Sequence, residues 1–131
     1  MYQMNVFAVV TAAVSSFLLG GLWYSRALFG AIWQREAGDA CKQGDGHPAR
    51  VFGVSLLFAL VAAVAYAVLI PPATGVLQAA TQGLLVGAGM VAASFGINYQ
   101  FANRSALLWA VDGGYHTVQF LLFGLILGLW H

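Results

Sequence analysis

Long apolar runs separated by short polar stretches set the plan of this chain. Residues 4–24 carry no formal charge, and as a helix they are long enough to cross the roughly 30 Å hydrocarbon core of a bilayer. From Val51 to Asn103 there is again no formal charge, and Pro71-Pro72 with Thr74-Gly75 interrupts the run. Proline ends a helix and glycine opens a turn, so the interruption predicts spans over 51–70 and 76–101. A last span is predicted over 105–130. Residues 25–50 form the only sizeable aqueous loop. The expected fold is all-α: one transmembrane domain over 1–131, an integral membrane four-helix bundle.

Within the loop, Leu28 with Ile32 and Phe29 with Trp33 are i, i+4 pairs, while Gln34, Arg35, Glu36 and Asp39 are polar. This pattern predicts a short helix lying along the interface. Trp23 and Tyr24 arrive together just before Arg26, and with Trp33 these residues are expected to anchor the chain at headgroup depth. Small residues punctuate the spans at helical spacing. Ala12, Ser16 and Gly20 share one face of the first span, and Gly83, Gly87, Met90 and Ser94 share one face of the third. Gly124 and Gly128 repeat the Gly-xxx-Gly step in the fourth. Such faces let backbones approach closely, so Gly83, Gly87, Gly124 and Gly128 are expected to pack against other helices, in the bundle or between protomers.

The last span also carries ionisable groups. Asp112 and His116 are four apart on one helix face, and Gln119 continues that face by a turn. At about 1.5 Å per residue, Asp112 lies roughly 10 Å and His116 roughly 16 Å in from Ser105. A carboxylate in hydrocarbon is costly, which makes it a functional-site hypothesis by default. Two readings stand side by side. Asp112, His116 and Gln119 line a polar path or ligand site, with Asn98 beside them; or Asp112 bonds His116, Arg26 or Arg104 and the stripe only holds helices together.

Composition agrees with the pattern. Hydrophobic residues make up 61% of the 131 and charged residues 7%, where a soluble domain would have about a quarter charged. Mean hydropathy is +0.83. A net charge of +1 with no basic run or phosphate-binding glycine loop sets nucleic acid aside. Cys41 is the only cysteine, so no disulfide can form within the chain. Asp39, Cys41, Asp45 and His47 match no metal spacing, and neither a metal nor a cofactor is expected. The N-terminus lacks the basic start and small-residue cleavage site of a removable signal.

Every Lys and Arg lies in the 25–50 loop or at Arg104. By the positive-inside rule loops 25–50 and 102–105 are cytoplasmic, and both termini and the Pro71-Pro72 turn face outward. Gly21-Leu22-Trp23-Tyr24, closing the first span, echoes Gly96-Ile97-Asn98-Tyr99, closing the third. The echo suggests two parallel helical hairpins, with Trp23 and Asn98 in equivalent places.

Trp23-Tyr24-Ser25, Leu28-Phe29-Gly30 and Trp33, then Asn103-Arg104-Ser105 and Gly114-Tyr115-His116 before a Gly-Leu-Trp ending, resemble the DUF1761 family of small bacterial membrane proteins. The chain departs from the usual form at Arg26, where proline is common, and at Ala31, where lysine is common. The resemblance implies a four-helix protein of the bacterial inner membrane and no particular activity. The residues themselves suggest a small channel or transporter. The alternative is an accessory or assembly subunit in which Asp112 and His116 are purely structural. An enzyme is not expected, because no serine or cysteine is spaced to partner His116 as a nucleophile. The expected partners are the lipid bilayer and either further copies of the chain or a larger membrane complex.

Overall fold

A computed structural model describes residues 4–37 and 48–130. Met1, Asp39, Cys41, Asp45, His47 and His131, which entered the reading of the loop and of the topology, lie outside the described residues. Helix α1 spans Val6–Trp23, α2 Gly30–Ala37, α3 Pro48–Leu69, α4 Val76–Phe101 and α5 Ala106–Leu129. All but α2 are long and apolar enough to cross a membrane.

The ends of these helices follow from local chemistry. Asn5 caps α1, its side-chain oxygen accepting from the Ala8 N–H at 3.1 Å. After Tyr24 the chain turns back at once, with the Phe29 N–H on the Trp23 carbonyl at 3.0 Å and the Gly30 N–H on the Ser25 carbonyl at 2.8 Å. A side chain at Gly30 would collide with the carbonyls of Tyr24 and Ser25, so the turn requires glycine. Helix α3 begins at Pro48, three residues before the predicted span, because proline suits a first helical position. The Pro71–Gly75 turn is closed by Thr74, whose N–H and hydroxyl both reach the Pro71 carbonyl, at 3.0 and 2.7 Å. Asn103 adopts the left-handed conformation (φ 57°), which ends α4. Ser105 then caps α5 by accepting from the Leu108 N–H at 3.0 Å. The Glu36 carboxyl of α2 is held below its usual range, chiefly by a hydrogen bond with Ser105 and then by Arg35 beside it.

The last helix is the centre of the bundle. Of its most apolar window 44% is buried, against 22–28% for the other three spans, and it touches all of the other helices. Its closest partner is α4. Along that seam a Cβ at Gly83 or Gly124 would fall on the carbonyls of Phe120 and Ala79, and one at Gly87 would lie 2.7 Å from Thr117 Cα. Gly128 meets Val76 in the same way. Backbones that approach this closely gain dispersion contacts, the main source of helix association where lipid is as apolar as the side chains. Helix α1 offers an alanine-rich face, Ala8, Ala12 and Ala13, to the core, where Tyr66, Phe120 and Phe123 pack as an aromatic group.

Two features of this bundle shape the site. Within α4, Leu85–Ala92 winds as a π-helix, a wider turn that inserts the equivalent of one residue into an otherwise regular helix. Helix α3 buries side chains against the bundle through its second half, and its first half touches α1 through the edge-on pair Phe52–Phe17. Ala59, Ala63, Tyr66, Ala67 and Ile70 are buried, whereas residues 51–55 are all exposed, so the first half stands away and opens a wedge.

Candidate functional site

Asp112 is 8% exposed and sits between buried Val111 and Gly113 on α5. Both of its carboxylate oxygens are occupied by tyrosine hydroxyls. Tyr24, just beyond the end of α1, donates to Oδ1 at 2.6 Å, and Tyr99, near the end of α4, donates to Oδ2. Hydrogen bonds to an ionised acceptor are stronger than neutral ones and offset much of the cost of removing a carboxylate from water. Asp112 makes no ion pair: among the described residues the recorded pair is Arg35–Glu36. Arg26 is exposed, and the Arg104 guanidinium turns to the Ala37 carbonyl at 3.2 Å. The partners named from the sequence for Asp112, namely His116, Arg26 and Arg104, are therefore replaced by two phenols from opposite hairpins.

Asn98, expected beside Asp112, is exposed, and so are Met90 and Ser94. The π-helical turn is the reason. Gly83 and Gly87 face α5 at regular spacing, but the next residue to do so is Ala92, five positions on. From there the inward positions are Phe95 and Tyr99. A regular helix would have continued through Met90, Ser94 and Asn98; the wide turn moves the face on by one residue, and Tyr99 takes the place assigned to Asn98. The turn is braced from α5, where Trp109 Nε1 donates to the Ala92 carbonyl at 2.7 Å.

Trp23 and Tyr24, at the end of α1, turn their polar atoms into the bundle. Trp23 Nε1 donates to the Val111 carbonyl at 2.9 Å and its ring packs on Phe29. Trp33 meets the Tyr24 ring edge-on, with centroids 6.0 Å apart, which buttresses the Tyr24 hydroxyl at Asp112. An amphipathic ring fits either a membrane interface or a polar group inside a bundle, and residue type alone does not separate the two.

One turn further along α5 lies a second polar group. His116 Nδ1 is 2.7 Å from Gln119 Oε1, Gln119 Nε2 is 3.4 Å from Ser16 Oγ, and the Ser16 hydroxyl donates to the Ala13 carbonyl at 2.9 Å. Phe95 and Tyr115 pack edge-on against the imidazole, and the Tyr115 hydroxyl donates to the Ser16 carbonyl at 2.9 Å. His116 and Gln119 form part of the wall of a cavity of about 770 Å³ in the wedge beneath α3. Phe17, Phe52, Phe58 and Phe120 supply most of its aromatic surface, and Tyr24, Tyr115 and Ser55 add polar edges. Asp112 does not line it; Tyr24 touches both the cavity and the carboxylate.

The structure thus divides the predicted stripe into a tyrosine-clamped carboxylate and a cavity-facing His116–Gln119 pair. Tyr99, Tyr115, Ser16 and Trp109 were not singled out from the sequence as members of a site. The signal that could have found Tyr99 was the Gly-x-x-Tyr echo itself, whose final tyrosines, Tyr24 and Tyr99, are the two residues that meet at Asp112.

No curated protein and no solved structure matches the chain. A family model described as a protein of unknown function, DUF1761, matches residues 7–128. The chain, a membrane protein with four apolar spanning helices, belongs to the DUF1761 family.

Proposed function

We propose that the protein is a small transporter of the bacterial cytoplasmic membrane that loads its solute into the wedge between α1, α3, α4 and α5. The observation that carries this reading is the 770 Å³ cavity with His116 and Gln119 in its wall. Pockets of roughly 300–1,000 Å³ with mostly apolar walls and a few placed polar groups are the usual form of a small-molecule site. A purely structural histidine would be expected in a dry, packed contact. The accessory-subunit alternative is less favoured, because Gly83, Gly87, Gly124 and Gly128 are all used up in the contact between α4 and α5. The proposal includes no cofactor and no enzymatic step. The hydroxyl nearest His116 along the chain, Thr117, is already committed to the Gly113 carbonyl at 2.8 Å.

Gly21 supplies the test. It lines the cavity, and a Cβ there would meet nothing within 4 Å, so Gly21→Phe fills the space without disturbing the packing. Reconstituted protein should speed the passage of protons or of at least one tracer from a panel of small neutral and cationic solutes. Gly21→Phe should slow that passage several-fold. Protein-bearing vesicles no leakier than empty ones, for every tracer, would overturn transport.

The orientation belongs to the same proposal: loops 25–50 and 102–105 cytoplasmic, both termini outside, and the cavity in the inner leaflet, because it lies at the Arg26 end of α1. Thr74 is buried and hydrogen-bonded, so the exposed Ala73 is the better reporter of the outer turn. Ala73→Cys is expected to react with an impermeant maleimide in intact cells. Reaction only after the cells are opened would reverse the topology.

A further inference from the structure

We infer that the cavity takes a neutral, lipid-soluble alcohol or phenol, whose hydroxyl donates a hydrogen bond to Nε2 of His116. This rests on the reading of the wedge as a solute site and names the class of solute.

The hydrogen-bond chain behind His116 fixes its tautomer. The Ala13 carbonyl can only accept, so the Ser16 hydroxyl spends its proton there. Ser16 Oγ then offers lone pairs, and the Gln119 amide presents its NH₂ to it. The amide oxygen is left facing His116 Nδ1 at 2.7 Å, and since that oxygen cannot donate, Nδ1 carries the imidazole proton. A neutral imidazole protonated at Nδ1 has a bare lone pair at Nε2. That atom has no hydrogen-bond partner among the described residues. Among the described residues no buried side-chain nitrogen or oxygen lacks a partner, so Nε2 lies at an accessible surface of a residue that forms the cavity wall.

The rest of the lining narrows the class. Among the described residues it contains no Lys, Arg, Asp or Glu, so an ionised ligand would be desolvated without a counter-charge there, which is costly. The Tyr24 and Tyr115 hydroxyls are already donating, to Asp112 and to the Ser16 carbonyl. The phenylalanine rings suit an apolar or aromatic body that would otherwise dissolve in the bilayer. Apart from the Ser55 hydroxyl, which can donate or accept, the atom calling for a partner is an acceptor, and it calls for a neutral donor.

The test is equilibrium binding of radiolabelled nonylphenol and of its methyl ether to the protein in nanodiscs, with uptake by empty nanodiscs subtracted. The phenol should bind about 3- to 10-fold more tightly than the ether, the value of one net hydrogen bond. His116→Phe, which keeps a ring but removes Nε2, should erase the difference between phenol and ether. Nitrogen NMR of the parent protein gives a second measurement that needs no variant. His116 should show an unprotonated Nε2 whose resonance moves on adding the phenol and not the ether. Equal affinity for phenol and ether, or a protonated Nε2, would overturn the ligand class and leave the cavity reading standing. Failure of both compounds to bind above empty nanodiscs would overturn both. Phenol-selective binding without flux in vesicles would uphold the ligand class and remove only transport.

Discussion

Removing either tyrosine hydroxyl from Asp112 is expected to cost about 1.5–3 kcal/mol of unfolding free energy, the range for hydrogen bonds to charged groups. The variants are Tyr24→Phe and Tyr99→Phe, measured in one detergent. Each keeps its ring, so the packing of Tyr24 on Trp33 and Tyr115 and of Tyr99 on Phe95 is preserved. The double variant should lose more than the sum of the singles. After the first substitution the carboxylate retains one donor, and after the second it is a buried charge with none. Asp112→Asn should be milder than the double variant, because an amide still accepts from one phenol and donates to the other. Additive losses below about 0.5 kcal/mol each would mean that the carboxylate is hydrated and the clamp unimportant.

A single methyl group on the inner seam should have a comparably large effect. Gly124→Ala is expected to destabilise the bundle by about 1–3 kcal/mol or more, the cost of overpacking a fitted contact, because its Cβ would land on the Ala79 carbonyl. Gly87→Leu should be worse, driving a branched side chain into the Thr117 backbone. Gly21→Ala is the control. It has open space around it, and removing a helical glycine there should be neutral or stabilising by up to about 1 kcal/mol. Thermal unfolding of the three variants checks this, and equal melting temperatures for Gly124→Ala and Gly21→Ala would count against the seam.

The number and extent of the spans were legible because lipid imposes a simple rule: a helix must present some twenty apolar residues, and charges collect where it stops. The observed helices start and end within a few residues of that reading. Asp112 and His116 stood out for the same reason, as exceptions to the rule. Their partners were not legible, because partners depend on which faces meet, and a face is counted in turns. Counting regular turns from Gly87 leads to Asn98. The π-helical segment, which hydropathy does not register, leads to Tyr99. The inward contacts of Trp23 and Tyr24 were not legible because the preference of such rings for membrane interfaces is statistical, whereas their hydrogen bonds to Val111 and Asp112 belong to this one bundle. The cavity was invisible for another reason. Phe52 and Phe58 turn toward the cavity, but no pattern in the chain encodes the lean of α3 that opens it.

The wide turn in α4 also bears on how relatives of this chain should be compared. A relative one residue shorter between Gly87 and Tyr99 could close Leu85–Ala92 into ordinary α-helix, and the residues beyond it would keep their facing relative to the glycine seam. Its counterpart of Tyr99 would still face the carboxylate, one position nearer to Gly87 in the sequence. A gap placed inside this membrane span therefore keeps lipid-facing and interior side chains matched, whereas an alignment that moves it into a loop would pair Tyr99 with a residue that never meets a carboxylate.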